Sequence, residues 1–173
     1  RSLGIKSVDF TGGDSELASF DGQAITGGLE GNVVFAGDFT NSNDPDGDPA
    51  QCLQPFPAET FAADTIVVCD RGAIARVDKG RNVRDGGAAG LILANLQGGA
   101  SSVVADAHVI PSIHVNADDG DMIRSWLETG TGHMATIGTS TLSYASEAED
   151  TGETQVGRIA ADFTSRGPNV SVP

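Results

Sequence analysis

The sequence predicts an α+β domain that is mostly β, and three observations lead to that fold class. Gly accounts for 23 of 173 residues, about 13% against a usual share of about 7%, and aromatic residues make up only 5%. The apolar residues fall in short runs of strand length separated by Gly-rich turns. Only two stretches have the period of a helix, and each lies between two such runs. Leu, Ile, Val and Phe reach about 23%, above the level of about 20% below which disorder is expected.

Three strands are predicted before residue 70. Ile5–Phe10 alternates between apolar and polar residues and ends at Gly12-Gly13. Asn32–Ala36 is a short apolar run with Gly on both sides. Residues 40–58 contain four Pro and no period, which predicts a loop. Thr65–Cys69 is a continuous apolar run, typical of a strand buried on both faces.

The first helix is predicted between Arg76 and Gly87. Val77, Gly80 and Val83 share one side of a 3.6-residue wheel, so the basic residues should form a solvated face rather than a site for polyanions. The residues expected to point mostly outward are Arg76, Lys79, Arg81, Arg84 and Asp85. Leu91–Ala94 follows as a strand, which completes one strand–helix–strand unit.

A second strand–helix unit is predicted after Ile110. Pro111–Val115 reads as a strand, and Asn116 can cap a helix whose acidic first turn suits the helix dipole. Its apolar face would consist of Met122, Ile123, Trp126 and Leu127. Gly130 is the expected residue after the helix, and Met134–Ile137 is predicted as another strand.

The charge of the chain excludes two classes of partner. Ten Lys and Arg against 24 Asp and Glu give a net charge of −14 and a pI near 4.2. Such a field repels nucleic acid and anionic lipid surfaces. No run approaches the ~20 apolar residues of a membrane helix, and the chain opens without an initiator Met or a hydrophobic signal segment. We therefore expect a piece of a longer protein that binds neither nucleic acid nor membrane.

The two cysteines, Cys52 and Cys69, lie 17 residues apart. That spacing fits no zinc pattern, because neither has a second Cys or a His two to four residues away. One disulfide is expected in an extracellular protein, where it would stabilise the polar, Pro-rich loop by about 3 kcal/mol. Two free buried thiols are the alternative in a reducing compartment.

Two further groups of residues are candidate sites. The three histidines, His108, His114 and His133, show no metal spacing and are expected to be structural, at the surface or half-buried.

Asp44, Asp46 and Asp48 alternate around Gly47, which faintly resembles a calcium loop. Leu53 occupies the position at which an EF-hand needs Glu, so a solvated turn is favoured and an irregular calcium site is the alternative. No catalytic residue, metal ligand or cofactor is assigned.

Five motifs in order resemble the protease-associated (PA) domain found inside subtilisin-like proteases. The resemblance covers most of residues 25–137, together with 158–170. The matching segments are Ile66–Gly72, Arg76–Val83, Gly87–Asn95, Ile110–Val115 and Ile159–Asn169. The last of these is similar to the point where a subtilase chain re-enters its catalytic domain, ahead of the nucleophilic Ser. Members of this family often pair the two matching cysteines, so the resemblance implies the Cys52–Cys69 disulfide and a secreted protein.

The resemblance also implies a fold and a division of the chain. PA domains are similar to a small β-barrel or sandwich flanked by about two helices. Residues 25–145 would be the PA domain, 146–157 an acidic linker and 158–173 the return into the catalytic domain. Residues 1–24 would be a lead-in strand region that either belongs to the module or continues the preceding catalytic segment.

The resemblance implies no catalysis by this piece. The triad segments would lie outside it, and although Gly138-Thr139-Ser140 resembles a subtilisin nucleophile segment, Thr141-Leu142 follows where Met-Ala is expected. The implied function is a non-catalytic module of a secreted serine endopeptidase that selects protein substrates, controls access to the cleft or contacts other subunits. Its partners would be protein or peptide substrates and its own catalytic domain.

Exposed strand edges would accept an extended peptide, and the acidic surface would favour basic substrates. The alternative is a PA-type binding module of a cell-surface or calcium-dependent adhesive protein that uses Asp44, Asp46 and Asp48. A calorimetric calcium titration separates the two.

Overall fold

Seven strands form a closed barrel in the computed structural model, which describes residues 4–138. The strands are β1 (Ile5–Thr11), β2 (Phe20–Gln23), β3 (Leu29–Phe35), β4 (Thr65–Asp70), β5 (Gly90–Ala94), β6 (Ser112–Val115) and β7 (Met134–Ile137). Two helices, α1 (Arg76–Asp85) and α2 (Ala117–Leu127), pack on the barrel, and two short 3₁₀ turns lie at Ala36–Asp38 and Pro49–Gln51. The mostly β, α+β fold class and the barrel with two helices are confirmed.

The strand order around the barrel is β1-β2-β6-β5-β4-β3-β7, with β7 paired back to β1. β3, β4, β5 and β6 are parallel neighbours, and the remaining pairs are antiparallel. Parallel neighbours need a crossover connection. α1 supplies it between β4 and β5, and residues 95–111 supply it between β5 and β6.

Closure of the barrel overturns one sequence prediction. Each of the seven strands between residues 4 and 138 pairs with a neighbour on both sides, so none of them is an edge strand of the sheet. The β2–β6 junction is the shortest contact, with Gln23 opposite His114 as its only registered pair. An extended peptide therefore cannot add to this barrel as an eighth strand without opening it.

Two apolar clusters lie on either side of the β4 and β5 wall. Ile66 and Val68 point into the barrel, whereas Val67 and Cys69 point outward beneath α1 and the loop that precedes β4. All six residues of β4 and all five of β5 are buried. The continuous apolar runs of these strands are explained by this two-sided burial.

α1 has the predicted bounds but not the predicted face. Val83 is buried as expected, yet Lys79 is also fully buried, with 0% of its surface exposed. The prediction that Lys79 belongs to a solvated basic face is therefore wrong. The loop around Pro49–Gln51 covers this side of the helix, and its backbone carbonyls accept the hydrogen bonds that a polar residue needs there.

α2 packs on the barrel through three of its four predicted apolar residues. Ile123 and Trp126 join the interior cluster, and Leu127 packs at its margin. Met122 is 46% exposed instead, so this part of the predicted apolar face is wrong. Asn116 caps the helix as predicted, because its Oδ1 accepts a hydrogen bond from the backbone N–H of Asp119 at 2.8 Å.

The lead-in region contributes two strands to the barrel. β1 pairs with β7, and β2 joins β1 to β6, so residues 5–23 are integral to the same barrel as residues 29–137. The predicted linker 146–157, the return segment 158–173 and Ser140 lie outside the described residues.

Candidate functional site

The disulfide joins the loop before β4 to the outer face of the barrel. Cys52 and Cys69 are bonded, with their Cα atoms 6.0 Å apart, and both are fully buried. The predicted pairing is confirmed. Phe56 and Phe61 pack in the same outer cluster, with ring centroids 4.9 Å apart. The long Pro-rich loop is thereby held against β4 as one packed unit.

α1 holds the same loop through polar contacts. The Lys79 ammonium donates to the carbonyl of Gln51. Asn82 Nδ2 donates to the carbonyl of Cys52 at 2.8 Å, and the Asn82 carbonyl accepts from the N–H of Phe56 at 3.1 Å. Burial lowers the pKa of Lys79 from 10.5 to about 8, although the charges of Asp70 and Asp48 oppose this shift. These groups serve the packing of the loop.

His114 organises the crossover between β5 and β6. Its Nδ1 accepts from the N–H of Val104 at 3.0 Å, and its Nε2 lies 2.8 Å from Asn95 Oδ1. The neutral imidazole with its proton on Nε2 satisfies both contacts. Burial lowers the pKa of His114 to about 4. His114 is only 1% exposed, so the expectation of a surface or half-buried histidine is wrong for this residue.

The Arg124 guanidinium ties α2 to the barrel. It donates to Asp70 Oδ1 on β4 and to Asp121 Oδ1 one turn earlier on α2, both at 2.6 Å. Burial raises the pKa of the Asp70 carboxyl, and Arg124 opposes that change. The hydrogen bond from Arg124 lowers the pKa of Asp121. This partly buried ion pair orients α2.

The other predicted site residues do not assemble into a centre. His133 Nε2 contacts the carbonyls of Trp126 and Thr129 at 3.0 and 2.8 Å, and His108 packs beside Gly80 on α1 with its pKa lowered by burial. Asp48 caps the turn at Pro49–Gln51 by accepting from the N–H of Ala50 at 3.0 Å. Across residues 4–138, no three acidic, His or Cys side chains stand close enough to hold a metal ion.

A hollow lies between the β1–β2 loop and α2. The loop, residues 12–18, lines a cavity of about 640 Å³ that is open to solvent. An adjoining cavity of about 330 Å³ is bounded by the loop on one side and by α2 on the other. The residues shared by both cavities are Ser15, Glu16 and Leu17, and the α2 residues are Asp121, Met122, Ser125 and Trp126. We call the two together the loop–α2 groove.

Trp126 anchors the loop that forms one side of the loop–α2 groove. The indole Nε1 donates to the carbonyls of Gly12 and Ser15 at 3.2 and 3.1 Å. The N–H of Gly13 donates to the carbonyl of Thr131 at 2.9 Å. Gly12 has φ +87°, and a Cβ there would lie 1.9 Å from the Gly132 carbonyl oxygen. Only Gly allows the loop to approach the α2–β7 turn this closely.

Sequence reasoning missed this groove. In the sequence, Gly12-Gly13 predicts only the end of a strand, and Trp126 predicts only part of the apolar face of a helix. The one available signal was the exposed acidic stretch that follows the Gly pair, and it has no meaning until α2 is known to lie beside it. No helix in the part of the chain that the structure describes has the length and apolar character to cross a membrane.

The comparison with known proteins gives a family. Residues 29–123, more than half of the chain, match the PA domain family. Subtilisin-like protease SBT1.4 of Arabidopsis thaliana is 41% identical over 109 residues, which cover 62% of this chain and 13% of the relative. Subtilisin-like protease SBT1.7 of the same plant is 32% identical over 165 residues, 95% of this chain and 20% of the relative. The chain thus spans a fifth or less of these two relatives.

Some solved structures are partly similar to this chain. An aminopeptidase from Aneurinibacillus sp. strain AM-1 is 17% identical with a TM-score of 0.48, and the match covers 79% of this chain and 34% of the aminopeptidase. The psychrophilic subtilisin-like protease Apa1 from Pseudoalteromonas sp. AS-11 is 14% identical with a TM-score of 0.44, and the match covers 82% of this chain and 34% of the protease. The sequence matches, rather than these two likenesses, show the family. The chain belongs to the PA domain family, in the form that subtilisin-like proteases contain.

Proposed function

We propose that this PA domain is a non-catalytic module of a secreted subtilisin-like serine endopeptidase, in which it favours basic protein substrates and controls their access to the active site. Its relatives are subtilisin-like proteases, and each is at least five times as long as the part it shares with this chain. The buried disulfide supports a secreted protein, because such bonds persist in oxidising compartments.

The distribution of charge carries the proposal. Residues 4–138 contain seven Lys and Arg and nineteen Asp and Glu. The arginines on α1 and α2 are committed to carboxylates in five ion pairs. The remaining cations donate to oxygens of the fold: Lys6 to Gly27, Arg71 to Ser102 and Lys79 to Gln51. Fourteen carboxylates of this range lie outside those ion pairs.

An unbalanced acidic surface beside a protease cleft would raise the local concentration of basic polypeptide. Electrostatic steering of this kind increases association rates by ~10 to 10³-fold and weakens with salt, because the Debye length falls to about 10 Å at 0.1 M. Since the barrel is closed, side chains and loops must contact the substrate rather than strand edges.

The test compares the parent protease with a variant in which exposed carboxylates of this module are replaced by their amides. A basic and an acidic version of one unfolded protein serve as substrates. We expect the ratio of kcat/KM for the basic over the acidic substrate to fall by about tenfold at low salt and to change little at high salt. An unchanged ratio at low salt would contradict the proposal, and an unchanged melting temperature of the variant controls for unfolding.

A further inference from the structure

We infer that the loop–α2 groove is a docking site for a basic segment of a protein substrate that carries an aliphatic or aromatic anchor. This inference rests on the proposed function and names the surface of the module that would perform it. The groove combines an apolar floor, a carboxylate rim and a loop held in place before any ligand arrives.

The apolar floor consists of Leu17, Met122 and Trp126. The Met122 side chain is 46% exposed, whereas Ile123 and Trp126 on the same helix are buried. Leu17 packs against the interior cluster and also borders both cavities. Trp126 is 4% exposed and forms the base on which the loop rests. A large apolar side chain placed here would cover Met122 and gain the free energy of that burial.

The rim of the groove is acidic. Asp14 and Glu16 on the loop are exposed and take part in none of the ion pairs between residues 4 and 138. Asp121 completes the rim from α2, where Arg124 already neutralises it. Two uncompensated carboxylates therefore remain at the edge of an apolar hollow. Lys or Arg residues on either side of an apolar anchor would match this arrangement.

The charge of the chain argues against a second copy as the occupant of the loop–α2 groove. Each copy carries a net charge of −14, and the described cations already donate to groups of their own fold. Two such surfaces repel, and neither offers a free basic side chain from this range to the rim. The complementary partner is a cationic segment of another protein.

The groove should need little rearrangement on binding. Trp126 holds the loop by two hydrogen bonds, and the Gly13 N–H adds a third to the α2–β7 turn. Preorganisation of this kind lowers the entropic cost of binding. It also places the single tryptophan of the chain directly under the site, where its fluorescence reports on occupation.

The experiment titrates the 173-residue chain with a short peptide that alternates Lys and Leu. We expect a saturable change in Trp126 emission at low salt that weakens as salt is added. Peptides that alternate Glu with Leu, or Lys with Ser, test the charge and the anchor separately, and both should bind at least about fivefold more weakly. Amide shifts of Gly12–Leu17 in NMR spectra provide a second readout. Absence of binding by both readouts would overturn the inference.

Matched variants locate the binding. Glu16→Lys should weaken binding of the Lys–Leu peptide by about fivefold. Asp46→Lys changes the net charge by the same amount at an exposed residue outside the groove, and it should change binding by less than about twofold. Met122→Ser should weaken binding, whereas Val109→Ser, at a residue 43% exposed outside the groove, should not. Melting temperatures confirm that each variant is folded.

The outcomes separate this inference from the proposed function. Equal weakening by Glu16→Lys and Asp46→Lys would show attraction by net charge alone, which overturns the docking site but leaves substrate steering intact. Binding at the groove in a protease without any preference for basic substrates would support the site and contradict the proposed function. A dimer of the chain that Glu16→Lys dissociates would overturn the inference in favour of a second copy.

Discussion

Acidification from pH 7 to pH 4 should destabilise this domain through His114. The imidazole is 1% exposed, and its Nδ1 accepts the N–H of Val104 at 3.0 Å. A proton on Nδ1 turns this acceptor into a donor, so protonation breaks that bond and places a charge in the packed crossover between β5 and β6. Burial disfavours the charged imidazolium and lowers the pKa of His114 from 6.5 to about 4, although the Val104 carbonyl, 3.3 Å from Nδ1, opposes this shift.

The size of the effect follows from proton linkage. Between pH 4 and 6.5 the unfolded chain binds the proton of His114 and the folded chain does not, so the stability falls as the pH falls. At 1.36 kcal/mol per pKa unit, the loss relative to pH 7 is about 2 kcal/mol at pH 5 and about 3 kcal/mol at pH 4.

The assay measures urea unfolding of the wild type and of His114→Asn at a series of pH values. The Asn Oδ1 can replace Nδ1 as the acceptor for Val104 but does not titrate, and Arg71 Nη1 still reaches Asn95 Oδ1 at 3.3 Å. Carboxyls whose pKa does not depend on His114, such as Asp121, contribute equally to both proteins and cancel in the difference. Parallel stability curves for the two proteins between pH 4 and 6.5 would refute this account of His114, as would an NMR titration midpoint near 6.5.

Three further predictions concern stability. Replacing both Cys52 and Cys69 by Ala should lower the free energy of unfolding by about 3 kcal/mol, the value of the chain-entropy model for a 17-residue separation. The urea midpoint should fall accordingly, and an unchanged midpoint would contradict this prediction. The free energy of unfolding of the wild type should rise between pH 8 and 10.5, because in this range the unfolded chain keeps the Lys79 proton that the folded chain has lost. Lys79→Met should lack this rise, and an equal rise in both proteins would exclude Lys79 as its source. Gly12→Ala should lower the free energy of unfolding by at least about 1–2 kcal/mol, because Gly12 has a positive φ and lies close to the Gly132 carbonyl. A variant as stable as the wild type would show that this close contact does not fix the position of the loop.

Local patterns in the sequence were sufficient to predict most of the elements. The continuous apolar run of Thr65–Cys69 predicted a strand buried on both faces, and the strand is buried at every position. The wheel of Val77, Gly80 and Val83 predicted a helix and the Gly86-Gly87 pair predicted its end, and α1 ends at Asp85. Such predictions succeed because helix and strand periods are properties of neighbouring residues.

Predictions that depended on what covers an element were less successful. Lys79 has the position of a solvated residue on the wheel, but the loop around Gln51 covers it. Met122 has the position of a core residue, but the groove leaves it exposed. The short strand Phe20–Gln23 was not predicted at all, because four residues that include a Gly show no period until β1 and β6 lie on either side of them.

The sequence by itself determined the element types, the acidic balance and, through the order of its motifs, the PA family. These depend on residues that are close together in the chain or on a simple count. Only the tertiary structure decided that the barrel closes, that His114 and Lys79 are buried, and that a groove forms beside α2. Each of these depends on contacts between distant residues, such as the hydrogen bond from Trp126 to Gly12 across 114 positions, and no local pattern encodes such a contact.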